Sequence, residues 1–164
     1  MAKYILDTHV LIWGIKGIAE AGQESMIGFA KNFLKDCHNQ KIDLMVPAIV
    51  LGEFLCNVEE QHHMEYIHEL QKAFLIKPYD MPASLHFAKL FNERQKQIKM
   101  NGANSLAENK ISKQELKADF MIVATAKSSK ADAIYSHDKN LKKFAGNSVK
   151  VLEIPKTPFQ QDLI

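Results

Sequence analysis

Lys3-Tyr4-Ile5-Leu6-Asp7-Thr8-His9 opens the chain with a short apolar run that ends on a carboxylate. The same order returns near the other end as Ala133-Ile134-Tyr135-Ser136-His137-Asp138. Runs of this length, rich in β-branched and aromatic residues, predict strands, and further ones stand at Leu44 to Val46, Phe74 to Ile76 and Val149 to Leu152. Between them, apolar residues recur at helical spacing over Met26 to Leu34, Ala48 to Val58, Tyr66 to Leu70, Leu85 to Leu90 and Leu116 to Ala126. Strands separated by helices predict an α/β fold around a largely parallel sheet of about five strands. Pro47 and Pro82 sit where helical patterns begin, matching the preference for proline in a first helical turn. From Lys99 to Lys117 the chain turns polar around Asn101-Gly102, which predicts an exposed loop or short insertion.

Length and charge narrow the function. The 164 residues, 46% of them hydrophobic, suit one domain with a continuous core. A net charge of +2 gives no global basic field, so any contact with nucleic acid must be local. Arg94 is the one arginine, which argues against base reading by guanidinium forks. Cys37 and Cys56 form no CxxC pair and fall in helical patterns, as buried thiols in a reducing compartment do. No apolar stretch approaches the ~18 residues of a membrane span, and the first run is too short for a signal-peptide core, so a cytoplasmic location is expected.

In open parallel sheets the ligand crevice lies at the carboxyl ends of the strands, where Asp7 and Asp138 are placed. Glu53 shares a helical face with Ile49, Val50, Cys56 and Asn57, and Asp119, at the expected start of its helix, with Ile122, Val123 and Ala126. Both are expected to point inward. A carboxylate on an apolar face is costly without a compensating cation, hydrogen bonds or metal. If the four meet, two such charges about 4 Å apart repel by roughly 1 kcal/mol in water and roughly 4 kcal/mol at an effective dielectric near 20. Something positive is required. Hard all-oxygen ligation suits Mg²⁺ or Mn²⁺, and such sites drive in-line attack of water on a phosphodiester.

These segments carry a family resemblance. Ile5 to Ile12, Pro47 to Glu53, Ala118 to Ala126 and Tyr135 to Asp138 resemble, in order and spacing, the successive acidic motifs of PIN-domain nucleases. Each motif is weak alone; four in order are specific. The resemblance implies a three-layer α/β/α sandwich and Mg²⁺- or Mn²⁺-dependent endoribonuclease activity on single strands. At this length it points to VapC-type toxins, which pair with an antitoxin and usually form homodimers. Carried over residue by residue, Asp7, Glu53 and Asp119 would be the core metal ligands and Asp138 a fourth acid. Ser136 would orient water or phosphate, and Thr8 would support Asp7.

Plainer roles exist for each residue taken singly. Asp119 could cap its helix, Asp138 could close a turn, and Glu53 could pair with a lysine. His62, His63 and His68 lie among glutamates without an HExxH pattern and are read as a solvated face. Trp13, Phe29, Phe33 and Phe54 are read as core or dimer contacts, and Lys99, Lys110, Lys113 and Lys117 as a solvated loop rather than a phosphate guide. Alternatives to a toxin are an RNA-processing or structure-specific nuclease with the same chemistry, and a non-catalytic RNA-binding module. A nucleotide-binding or response-regulator protein ranks last, since Gly14 and Gly17 make no phosphate loop.

Overall fold

A computed structural model describes residues 1–101 and 113–157. Five parallel strands form one sheet: β1 (Lys3–Leu6), β2 (Asp43–Pro47), β3 (Leu75–Lys77), β4 (Ala133–Tyr135) and β5 (Lys150–Leu152), in the order β3-β2-β1-β4-β5. The chain steps outward from β1 to β2 and β3, then returns across β1 to β4 and steps outward again to β5. Because β–α–β crossovers are right-handed, this reversal sends the connecting helices to opposite faces. A three-layer α/β/α sandwich results. The reversal also leaves a gap between the carboxyl ends of β1 and β4, the place where ligands bind in such sheets.

One face carries α1 (Thr8–Leu11), α2 (Ser25–Asn39), α3 (Ala48–Leu55) and α4 (His63–Ala73); the other carries α5 (Met81–Asn101), α6 (Lys113–Ser128) and α7 (Lys139–Ala145). On the second face Phe120 of α6 is 1% exposed and lies with its ring centroid 6.1 Å from Phe87, 6.3 Å from Phe91 and 5.5 Å from Phe144. Aromatic pairs at such separations add to the burial they already provide, so α5, α6 and α7 are held as a unit. On the first face Phe33 of α2 meets Tyr135 of β4 at 4.4 Å. Trp13, Phe33 and Phe54 are buried and Phe29 packs against the core, which makes all four core residues.

Several local features depart from the sequence expectation. Thr8–Leu11 is helical and runs directly into a π-helical turn, Ile12–Lys16, which Gly17 ends in the left-handed region at φ 65°. A Cβ on Gly14 would stand 2.5 Å from Leu34 Cδ1 and 3.6 Å from Ala30 Cβ, so the glycine is what lets this turn lie against α2. Single π-turns within helices are uncommon and gather at functional sites. The segment after Asp138 is helix α7 rather than an ordinary turn. The expected polar loop from Lys99 to Lys117 is helical at both ends, since α5 continues to Asn101 and α6 begins at Lys113; the rest of it, 102–112 with Lys110, lies outside the described residues. Helix α3 stops at Leu55 instead of Val58, where the Val58 N–H turns back to the Leu55 carbonyl.

Phe120→Ala is expected to lower unfolding free energy by about 3–5 kcal/mol, the usual cost of removing a fully buried ring. Urea unfolding of the purified variant measures it, and a loss below about 1 kcal/mol would mean that the aromatic cluster is not the support described here.

Candidate metal centre

Asp7 follows the last residue of β1 and caps α1, its Oδ1 accepting the Thr8 N–H at 2.7 Å. Its own N–H donates to the Tyr135 carbonyl at 3.1 Å, so its backbone is fixed to β4. The Ser136 hydroxyl donates to Asp7 Oδ2 at 2.5 Å and accepts the Asp138 N–H at 3.0 Å. Ser136 is 2% exposed, and its hydroxyl is a clamp joining the two aspartates. Asp138 caps α7, with Oδ1 accepting from the N–H groups of Asn140 at 2.7 Å and Leu141 at 3.3 Å.

Glu53 and Asp119 arrive from opposite helical layers. Glu53 lies in the last turn of α3, where the helix dipole disfavours a carboxylate, and its Oε2 accepts the Thr8 hydroxyl at 2.5 Å. Thr8 thus serves two acids, Asp7 through its amide and Glu53 through its hydroxyl. Glu53 is exposed, which corrects the expectation that it points into the interior: it stands at the open side of the crevice. Asp119 lies well inside α6, which begins at Lys113, so it is not the cap of that helix. Its half-buried side chain lines the same crevice.

That crevice, about 340 Å³, is lined by all four acids together with Thr8, His9, Ile12, Asn57, Ala118, Ile122 and Asn140. None of the lining residues among those described is lysine or arginine. Among the described residues no three His, Cys, Asp or Glu side chains stand close enough to form a finished coordination shell. The four carboxylates therefore surround a space and do not close on a point. This suits a hard cation that keeps several waters between itself and its ligands, as Mg²⁺ does. The absence of cysteine from the lining and the single His9 make softer metals a poorer fit.

Burial raises the Asp7 carboxyl above its ordinary value, opposed by the Ser136 hydroxyl and the Thr8 amide, with the neighbouring Asp138 charge adding to the rise. Beside the crevice the His9, Trp13 and His137 rings form a row, with centroids 5.6 Å and 5.2 Å apart. His137 Nε2 accepts the Ile154 N–H at 3.1 Å, and burial keeps its imidazole below the usual range. The sequence reading gave His9, Asn57 and Asn140 no part in the site; Asn57, one turn beyond Glu53, carried the clearest positional signal.

A family model described as PIN domain matches residues 4–147. The chain belongs to the PIN domain family. PIN domains are nucleases that generally use divalent metal ions, and the carboxylate crevice has the donor set such an ion requires. Three solved structures share the fold at low identity. VapBC2 from Rickettsia felis bound to a DNA fragment from its promoter aligns with TM-score 0.63 at 13% identity, over 92% of this chain and 98% of that one. VapBC-1 from nontypeable Haemophilus influenzae gives TM-score 0.62 at 16% identity, over 92% of this chain and 97% of that one. DNA-bound VapBC from Salmonella typhimurium gives 0.62 at 16%, over 94% and 100% respectively. No curated protein matches the chain in sequence.

The raised Asp7 pKa sets a pH dependence. Between the ordinary aspartate value of 3.8 and the raised one, the folded chain keeps a proton that the unfolded chain releases, so stability falls as pH rises through that window. Asp7→Asn removes the penalty. In EDTA the variant is expected to melt above the wild type at pH 7.5, with the gain shrinking toward pH 4; a variant that melts lower at pH 7.5 would show that the two hydrogen bonds outweigh burial.

Proposed function

We propose that this PIN domain is a divalent-metal-dependent endoribonuclease, the toxin of a toxin–antitoxin pair, with residues 1–164 forming one catalytic domain. The observation that carries the reading is the convergence of Asp7, Glu53, Asp119 and Asp138 on one crevice whose described lining has no lysine or arginine. Asp7, Glu53 and Asp119 hold Mg²⁺ or Mn²⁺, and Asp138 adds a fourth acid, directly or through water. When bound, such an ion lowers the pKa of water and offsets charge that develops on the phosphodiester. The chain's own residues do the positioning: Ser136 and the Thr8 amide fix the two oxygens of Asp7, and the Thr8 hydroxyl fixes Glu53.

The toxin reading is supported by the likeness to three VapBC structures over nearly the whole of each matched chain. A protein antitoxin is the expected partner, RNA the substrate and the cytoplasm the place of action. No helix of the described residues is long and apolar enough to cross a membrane. Leu75, Met81 and Leu85, exposed at 54%, 76% and 69%, give β3 and the start of α5 an apolar surface that a homodimer would cover. A processing nuclease outside a toxin system would share this chemistry. A binding module without turnover is disfavoured by the presence of all four acids on the crevice.

Purified protein is expected to cut a pool of single-stranded RNAs with Mg²⁺ or Mn²⁺ and not with EDTA. Asp7→Asn and Asp119→Asn are each expected to lower the rate by about 100-fold or more, the scale of losing one electrostatic element of a site. Cutting that survives EDTA, or that both variants retain, would overturn the metal-dependent reading.

A further inference from the structure

The far end of α7 carries a second polar cavity, of about 400 Å³, between α5, α6 and residues 145–148. Arg94 of α5, Lys127 of α6 and Lys143 of α7 line it, and Glu93 is the one acid among the described lining residues. Three cations from three helices thus face one opening in a chain whose whole net charge is +2. Arg94 is half-buried, and its guanidinium lies 4.3 Å from the centroid of the Phe144 ring. Its Nε is buried without a hydrogen-bond partner. Among the described residues it has no carboxylate in ion-pair contact, and a buried N–H left unpaired is costly. The Phe144 ring lies against the guanidinium, and a planar fork suits two-point binding of a phosphate better than a mobile lysine would. Helix α7 connects this cavity to the acidic crevice: Asp138 caps one end and Ala145 closes the other, about 10 Å away at 1.5 Å per residue.

We propose that the cavity is a phosphate-binding site for the RNA strand outside the cut, with Arg94 as its anchor and Lys127 and Lys143 as supporting charges. The choice of RNA rests on the reading of the crevice as a ribonuclease site. The acids repel the backbone wherever no metal is bound, so a strand needs attraction from elsewhere on the surface, and this cavity supplies it. The forked guanidinium contacts phosphate oxygens and leaves base edges unread, so the site adds affinity without sequence preference.

The test is fluorescence anisotropy of the full chain with a labelled single-stranded RNA in EDTA, at several salt concentrations, for wild type, Arg94→Gln and the Lys127→Gln/Lys143→Gln double variant. Arg94→Gln is expected to weaken binding by about 5–10-fold and to reduce the log–log salt slope by about 0.7, the contribution of one phosphate contact on a single strand. The lysine double variant should lower the slope by about twice that. The lysine pair keeps the test decisive if Arg94→Gln fails to fold, because Lys143 is exposed and Lys127 lies outside the core. Wild-type affinity and slope in folded cavity variants would overturn the proposal. So would inorganic phosphate shifting the Asn147 and Ser148 amide resonances while RNA affinity stays unchanged in the variants, since the site would then serve free phosphate. Binding of oligoglutamate, but not RNA, that depends on Arg94 would overturn it in favour of an acidic peptide. Metal-dependent activity is absent from this readout: a chain that binds RNA through Arg94 and never cuts it removes the nuclease reading and leaves this one standing.

Discussion

The Ser136 hydroxyl holds the site together. It donates to the Asp7 carboxylate and accepts the Asp138 N–H, joining the residues that follow β1 and β4 where the topology of the sheet reverses. The backbone repeats the tie, from Asp7 N–H to the Tyr135 carbonyl and from Ser136 N–H to the Leu152 carbonyl. The two contacts that Asp7 makes, to Ser136 and to Tyr135, span more than a hundred residues of sequence, and they exist because a parallel sheet brings distant strand ends to one edge. Everything else in the crevice is hung from that edge: α3 and α6 reach it from the two helical layers with one carboxylate each.

Such a site is costly to fold. Asp7 is 6% exposed with a raised pKa, and Glu53 stands at the unfavourable end of a helix dipole. The described lining offers no lysine or arginine to offset them. Stability is given up locally to keep four carboxylates near one another, the common exchange between activity and stability at functional sites. The compensation lies in the core, where the aromatic cluster about Phe120 holds the residue next to Asp119 rigidly in α6. Positive charge is instead placed at the other end of α7, where Arg94, Lys127 and Lys143 cannot neutralise the acids.

The strands were legible because each is a brief apolar run between polar boundaries: the reading of Ala133 to Tyr135 matches β4 without adjustment, and the others differ by a residue or two. The acids were legible for a similar reason, since a carboxylate at a strand end or on an apolar helical face stands out against its neighbours. What sequence periodicity could not show was geometry that depends on partners. Asp119 read as the start of a helix because the residues before it are polar, yet helix α6 begins at Lys113. Glu53 read as buried from its apolar neighbours, but α3 ends early and leaves its side chain at the open side of the crevice. The π-turn after α1 has no periodic signature of its own, and it depends on Gly14 fitting against Leu34. Ser136 is legible as a neighbour of Asp138, but its contact with Asp7, 129 residues away, is visible only in the fold.

The most direct test of the account is a Mn²⁺ titration followed by electron paramagnetic resonance, on wild type, Asp7→Asn, Asp119→Asn and Ser136→Ala at neutral pH without RNA. Wild type is expected to bind Mn²⁺ saturably, with affinity weakened by about 10-fold or more in each aspartate variant and measurably in Ser136→Ala, where the Asp7 carboxylate is kept but its orientation is lost. Equal Mn²⁺ affinity in all four proteins would contradict the claim that these carboxylates form a metal centre.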